Sequence, residues 1–411
     1  MRLLVVVQRY GAEIAGGSER AAREFASRLA ARGHDVTVAT GRARSYVTWA
    51  DELAGGTSHD AGVRVVRFDV VAPRDLDRFL DLQNRVLGAA YLGRQVPLLM
   101  QESWIRECGP LLGGFEEWLV EESGGFDVAI IFTYQYATAW MAARALRGRV
   151  PVVLHPTAHA ELTFYLDVFT ELFAAADGIG YLTEEEQSLV LARGGVRDHA
   201  VATVCGIGVE PAADVVAGEI QRVRDAYGLG SADYAVCVGR IDEGKGTTEL
   251  VELHRRAAVA HEDDVALLVV VGEASSTSVG ADRHVRVTGF VPEKDLRALV
   301  GGAIALVQPS VHESFSLVLC EAWALGRPVL VTGLNDVLVG QVRRSGGGLV
   351  YRDLAEYAVM LEALRLPVGP GLALGASGRA YVGEIYSWER VLTHYEEFLH
   401  AVVAQYSLPI P

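Results

Sequence analysis

Short apolar runs alternate with amphipathic stretches along most of the chain, in a strand–helix–strand rhythm. In the first half the β-rich runs fall at residues 3–7, 36–39, 63–68, 128–132, 152–154 and 178–182. Between the first two, Ala21, Ala22, Phe25, Leu29 and Ala30 recur at helical spacing within residues 18–32, and Gly33 supplies a stop. This is a βαβ unit, and successive units of this kind build a parallel, doubly wound sheet. The uncharged stretch 128–143 predicts a strand running into a helix. Thr133, Tyr134, Gln135, Tyr136 and Thr138 interrupt it, and it falls short of the roughly 18 to 20 apolar residues a membrane span needs.

The rhythm then restarts. A run at 201–204 stands near the crossover, a linker falls within 206–230, and strands are predicted at 234–238, 266–271, 285–287, 303–307, 329–331 and 349–351. Helical patterns occupy 247–259, 293–300, 315–325 and 336–343. Two α/β arrays in one chain predict two similar domains, residues 1–206 and 207–385, with a cleft between them and ligands beyond the carboxyl ends of the strands. In the tail, 386–411, the residues Trp388, Val391, Leu392, Tyr395, Phe398, Leu399 and Val402 share one helical stripe and predict a terminal helix docked on a core. Residues 44–119, apart from 63–68, are less regular, with several amphipathic stretches.

Charge narrows the function. The 411 residues carry a formal net charge of −15, so nucleic acid is a poor partner and purely electrostatic binding to anionic lipid is disfavoured; a local basic patch at a membrane surface stays open. An anionic small ligand would need a locally positive site. The four cysteines, Cys108, Cys205, Cys237 and Cys320, form no CxxC pair and read as reduced, buried thiols of a cytoplasmic protein. The apolar run at 3–7 is too brief for a signal-peptide core.

The strongest chemical signal is the segment 309–322, PSVHESFSLVLCEA, which follows a strand and enters a helix ended by Gly326 and Pro328. Placed in the loop, Glu313 would lie at the site, with Glu321 one turn further in. Backbone N–H groups from Ser314 through Phe315 and Ser316 to Leu317 would then form an anion site in the helix N-terminal field. Phosphate would go to the amides and sugar or ribose hydroxyls to the acids. Taken singly, the two glutamates would read as a solvated loop acid and a surface helix residue; the strand–loop–helix context favours the site.

A second signal, after strand 234–238, is Gly239-Arg240-Ile241-Asp242-Glu243-Gly244-Lys245-Gly246. Arg240 as a fork and Lys245 as a point charge suit a diphosphate. The segment mimics G-x-x-x-x-G-K-[ST] but has Gly246 where a magnesium-binding hydroxyl belongs, so the P-loop reading is set aside. Gly16-Gly17-Ser18 sits between the first strand and first helix, where glycines let a ligand approach the backbone; G-x-G-x-x-G is absent there, which counts against a dinucleotide oxidoreductase. His159, in the loop after strand 152–154 and beside Glu161, is a candidate site residue, whereas His155 still lies in strand register. Asp75-Leu76-Asp77 matches a metal-binding D-x-D but sits in a charge-rich helical stretch, and 261–264, HEDD, reads as a solvated turn. No zinc spacing or G-x-S-x-G elbow occurs.

Together the E-x7-E segment and the G-R-x-x-x-x-K-G turn resemble the retaining glycosyltransferases of family 4, with the GT-B fold of two facing Rossmann-like domains. The likeness is strongest over 236–351 and clear over 2–40, 155–191 and 387–398. It implies that Arg240 and Lys245 hold the donor diphosphate, that Glu313 contacts the donor sugar and Glu321 the ribose, and that the amides of Phe315, Ser316 and Leu317 support both. Gly16 and Gly17 would close over the donor, His159 would stand near the transferred sugar, and the last helix would return to the first domain. It further implies a nucleotide-sugar co-substrate, no metal or other cofactor, retention at the anomeric carbon, and a glycan, lipid-linked or small-molecule acceptor; the irregular residues 44–119, which the likeness covers poorly, are expected to shape that choice. Family members usually have glycine after the phenylalanine, where this chain has Ser316; sugar identity is the property this places in doubt. The rival readings are a nucleotide-sugar epimerase on the same fold and a catalytically silent nucleotide-binding scaffold.

Overall fold

A computed structural model describes residues 1–14, 16–273 and 279–407 of the chain. It divides into two units, Met1–Gly206 with the chain from Leu392 onward, and Ile207–Val391.

The first unit holds eight strands: β1 (Arg2–Val6), β2 (Asp35–Gly41), β3 (Gly56–Asp60), β4 (Val63–Phe68), β5 (Val128–Phe132), β6 (Val152–His155), β7 (Gly178–Tyr181) and β8 (Val201–Val204). They line up as β3-β4-β2-β1-β5-β6-β7-β8. Every pair is parallel except β3 with β4. All five residues of β5 and all four of β6 are buried, as a strand covered by helices on both faces requires. This is why such runs stand out in the sequence. The edge strand β3, GTSHD, is four-fifths exposed; it has no apolar pattern to read and takes its place from its pairing with β4. Between β4 and β5 the irregular region resolves into helices Leu76–Tyr91, Leu98–Cys108 and Phe115–Glu122.

The helix Trp388–Tyr406 packs onto this first sheet. Its apolar stripe is buried at Tyr395, Phe398, Leu399 and Val402, each worth about 1.5 to 3 kcal/mol of transfer free energy. A Cβ at Gly178 in β7 would fall 2.5 Å from Val402 Cγ2, so the bare Cα is what lets the helix approach. His34 Nε2 and Glu396 Oε1, 2.9 Å apart, close its flank.

The second unit has β9 (Tyr234–Val238), β10 (Leu267–Val271), β11 (Val285–Gly289), β12 (Leu306–Gln308), β13 (Val329–Thr332) and β14 (Gly348–Tyr351). The order is β11-β10-β9-β12-β13-β14, all parallel. Counted from β9 this is 3-2-1-4-5-6, whose order reverses between β9 and β12; ligands of such sheets bind outside the carboxyl ends at that reversal. In the first unit the equivalent reversal lies between β1 and β5.

Several elements depart from the sequence pattern. The helix expected from residue 315 begins at Leu317, because Ser316 takes a left-handed conformation (φ 69°, ψ 80°) that a helix cannot include. Helices Leu354–Arg365 and Gly371–Ile385 were not expected. The latter contains Gly375 and Gly378, which lower helix propensity; a Cβ at either would overlap the Gly326 carbonyl or the Trp323 ring. All four cysteines are free and buried, and burial raises each thiol pKa, which leaves them poor nucleophiles. Among the described residues no helix is long and apolar enough to cross a membrane.

Candidate active site

In the second unit the two motif segments meet at the β9–β12 reversal. Gly239 follows β9 with φ 153° and Gly246 closes the turn with φ 65°, backbone conformations that glycine adopts without a Cβ penalty. Asp242 Oδ1 accepts the Lys245 backbone N–H at 2.9 Å, and the Thr247 hydroxyl donates to the Arg240 carbonyl at 3.2 Å. The turn thereby fixes the Lys245 stem. From the other segment, Glu313 sits in the loop after β12 and its Oε1 accepts from Lys245 Nζ at 2.7 Å. The carboxylate side chain is 11% exposed and the lysine 29%, so this charge-assisted pair is shielded more than a surface ion pair.

Arg240 is placed differently. Its Nε lies 3.3 Å from Asp242 Oδ2, and half of its side chain is exposed. The two cations of the motif therefore have separate carboxylate partners, Asp242 for Arg240 and Glu313 for Lys245. Ser314 and Leu317 are half-buried, Phe315 and Ser316 are buried, and Glu321 is half-buried in the second turn of the helix Leu317–Ala324. Ser316 makes no side-chain cap to that helix; its hydroxyl accepts from Gln308 Nε2 at 3.2 Å. Gln308 thus supports a serine in a backbone region where glycine is the easier residue. Nothing near the motif in the sequence marks Asp242 or Gln308 as partners, because each acts through the loop's path.

In the first unit Gly16 and Gly17 follow β1, and Gly17 opens the helix Gly17–Ala31. Gly16 has φ 157°, and a Cβ there would overlap the Glu19 carboxylate. That carboxylate is buried, with Oε1 2.9 Å from Arg9 Nε and Oε2 accepting from the Ser18 hydroxyl at 2.9 Å. Among the described residues, a Cβ at Gly17 would meet no heavy atom within 4 Å beyond its chain neighbours and its own helix backbone, so packing among them does not account for glycine at that position. His159 stands in the loop after β6, its Nδ1 3.6 Å from Glu161 Oε1. Glu161 also accepts from Tyr134 Oη at 2.5 Å and Gln135 Nε2 at 3.3 Å.

His155, four residues earlier, is structural. Its ring is fully buried, stacked on Phe132 with centroids 4.6 Å apart, and its Nε2 lies 2.7 Å from Tyr395 Oη. Burial pushes its pKa down to about 3 from 6.5. His254, bonded to Tyr357 Oη at 2.9 Å in the second unit, is pushed down to about 4, again chiefly by burial. Both rings stay neutral in the folded chain while the unfolded chain takes up a proton below pH 6.5. The unfolded state then binds more protons, and stability falls as pH drops from 6.5 towards 4, by about 1 kcal/mol per pH unit for each histidine. Urea unfolding of His155→Gln at pH 7 and pH 4.5 is expected to show a smaller acid loss in the first unit than wild type. An identical acid loss would remove His155 as the cause.

The decoys resolve as structural. Asp75 caps the helix Leu76–Tyr91, accepting the Arg78 N–H at 3.1 Å. Asp263 pairs with Arg283 at 2.6 Å and Asp264 with Arg365 at 2.7 Å, so the 261–264 turn is tied to its neighbours. Among the described residues no group of three or more His, Cys, Asp or Glu could hold a metal ion.

Two doubly wound sheets of six and eight strands, parallel except for the β3–β4 edge pair, give the chain the GT-B fold of two Rossmann-like units. Two family models match in tandem, "Glycosyl transferase 4-like domain" over residues 16–206 and "Glycosyl transferases group 1" over residues 219–353, and the chain belongs to the family 4 glycosyltransferases that they describe. Similar proteins include the 2-deoxystreptamine glucosyltransferase of Streptomyces kanamyceticus, 28% identical over 54% of this chain and 61% of that protein. The D-inositol 3-phosphate glycosyltransferase of Salinispora arenicola is 31% identical over 48% of this chain and 50% of that protein. The alignments thus span between half and two-thirds of these relatives. Among solved structures, HepE of Anabaena in complex with UDP and glucose superimposes with a TM-score of 0.71 over 98% of this chain and 100% of that one, at 16% identity.

Proposed function

We propose that this protein transfers a sugar from a nucleotide-diphosphate donor to an acceptor hydroxyl, with retention at the anomeric carbon and no metal ion. The observation that carries the proposal is the Lys245–Glu313 pair at the β9–β12 reversal, where a cation and a hydrogen-bonding carboxylate stand together beside a helix N-terminus. The transition state of sugar transfer needs that combination. As the anomeric C–O bond breaks, negative charge grows on the departing diphosphate, and preorganised Lys245, Arg240 and the amides of Phe315, Ser316 and Leu317 stabilise it. Glu313 and Glu321 accept hydrogen bonds from donor-sugar and ribose hydroxyls. The acceptor oxygen bonds to the anomeric carbon on the face the diphosphate leaves, and its proton passes to a departing phosphate oxygen.

The bare Gly17 fits a donor that approaches the backbone, and His159 is read as a contact to the transferred sugar. The similar structure of HepE contains UDP and glucose, which makes UDP the first nucleotide to try. The two relatives named above carry 2-deoxystreptamine and D-inositol 3-phosphate in their names, and a small cyclitol is the first acceptor class to screen.

Calorimetric titration of UDP, GDP, ADP and TDP in EDTA is expected to show micromolar binding of one of them. Incubation with the matching nucleotide-sugar is expected to give product only when acceptor is present. Binding that requires added magnesium would overturn the metal-free reading, and an altered nucleotide-sugar formed without acceptor would make the protein an epimerase.

A further inference from the structure

Glu186 is buried to 1% exposure in the first turn of the helix Glu184–Arg193, whose N-cap Thr183 accepts the Glu186 N–H at 3.2 Å. Thr-x-x-Glu is the capping-box pattern, in which the glutamate would close on the N-cap's own N–H. Here the carboxylate reaches further. One oxygen accepts the Leu182 N–H and the other the Ala158 N–H, both at 2.6 Å. Ala158 directly precedes His159.

The chain at this point is held against its own preference. Thr157 has φ 49°, and a β-branched residue in the left-handed region costs on the order of 1 to 3 kcal/mol, so the surroundings must impose it. From upstream, the Thr133 and Tyr134 N–H groups donate to the carbonyls of His155 and Pro156 at 2.8 and 3.1 Å. Downstream of Thr157, the Ala158 N–H is tied to Glu186. Burial pushes the Glu186 pKa up to about 8, with the two N–H donors pulling the other way, so the carboxyl group sits in a costly place for capping alone.

We infer that Glu186 is the positioning residue of His159: its carboxyl group clamps the Ala158 N–H to the β7–helix turn and thereby fixes where the His159 ring stands. This rests on the reading of His159 as a contact to the transferred sugar. Glutamine keeps the shape of Glu186 but has one accepting oxygen for two N–H groups, so Glu186→Gln frees either the Ala158 or the Leu182 N–H, and exchange at 158 against 182 reads which one.

The test compares wild type, Glu186→Gln and His159→Ala by amide hydrogen exchange, by calorimetric binding of the preferred nucleoside diphosphate and by turnover. Glu186→Gln is expected to speed exchange locally at residues 156–160 and to lower kcat on the order of 10- to 100-fold, with the diphosphate Kd unchanged. Wild-type turnover in Glu186→Gln, beside an inactive His159→Ala, overturns the inference. Faster exchange spread across the whole first unit also overturns it, since Glu186 would then be a general stabiliser. Wild-type turnover in His159→Ala defeats the role read for His159 and the positioning claim with it, while the exchange data report separately whether the clamp exists.

Discussion

Lys245→Ala is expected to weaken diphosphate binding and lower kcat/KM on the order of 100- to 1000-fold, the range observed when one preorganised donor to a developing anion is removed. Two losses combine. The ammonium that would meet the diphosphate disappears, and Glu313, largely buried, loses the cation 2.7 Å from its Oε1 and faces the approaching anion as an uncompensated charge. Lys245→Arg should recover only part, because the longer planar fork does not fit a position set for a compact ammonium. Glu313→Gln separates the two losses: it should keep diphosphate affinity near wild type and lose turnover. The measurement is calorimetry on wild type and the three variants beside initial rates. Diphosphate binding by Lys245→Ala within a few-fold of wild type would dismiss the Lys245 assignment, and with it the reading of the β9 turn as the donor site.

The second large effect is expected from Gly246→Ser, which completes the P-loop consensus from Gly239 to residue 246. By motif logic it would create a hydroxyl for magnesium. By the geometry it cannot. A Cβ on Gly246 would stand 2.6 Å from the Pro309 carbonyl oxygen, and the residue has φ 65°, so serine meets both a left-handed backbone and a backbone obstacle. Together these should destabilise the second unit by about 2 to 4 kcal/mol and shift Lys245 relative to Glu313. Urea unfolding followed through the second unit, with titration of ATP and magnesium, checks both statements. Wild-type stability together with magnesium-dependent ATP binding would show that the close approach to Pro309 does not exist.

Gly246 also shows where sequence reading reaches its limit. Its departure from the P-loop pattern is visible locally, but its cause is a carbonyl 63 positions away. The buried strands β1, β5, β6, β9 and β10 were legible because each is a nearly unbroken apolar run, and the two motif loops that meet through Lys245 and Glu313 stood out because their cations, glycines and carboxylates lie close together in the sequence. β3 was not, since its five residues owe their strand conformation to β4 rather than to their own apolar content. The helix Gly371–Ile385 was hidden by glycines whose purpose is approach to Trp323 and Gly326. Glu186 carries a legible capping pattern, but the partner that matters, Ala158, stands 28 residues upstream. Ser316 was legible as a departure, and its left-handed backbone and tie to Gln308 were not.

The return of the helix Trp388–Tyr406 to the first sheet also bears on how the chain is made. Domains usually fold as they emerge, amino-terminal first. Here the first 206 residues leave the ribosome without the residues that cover Gly178 and without Tyr395, the partner of His155. The second unit, Ile207–Val391, is synthesised before those residues. The earlier-made half must wait, with the surface around Gly178 uncovered, for a helix made after the second unit, and nascent chains stalled before residue 392 should be the ones that chaperones hold.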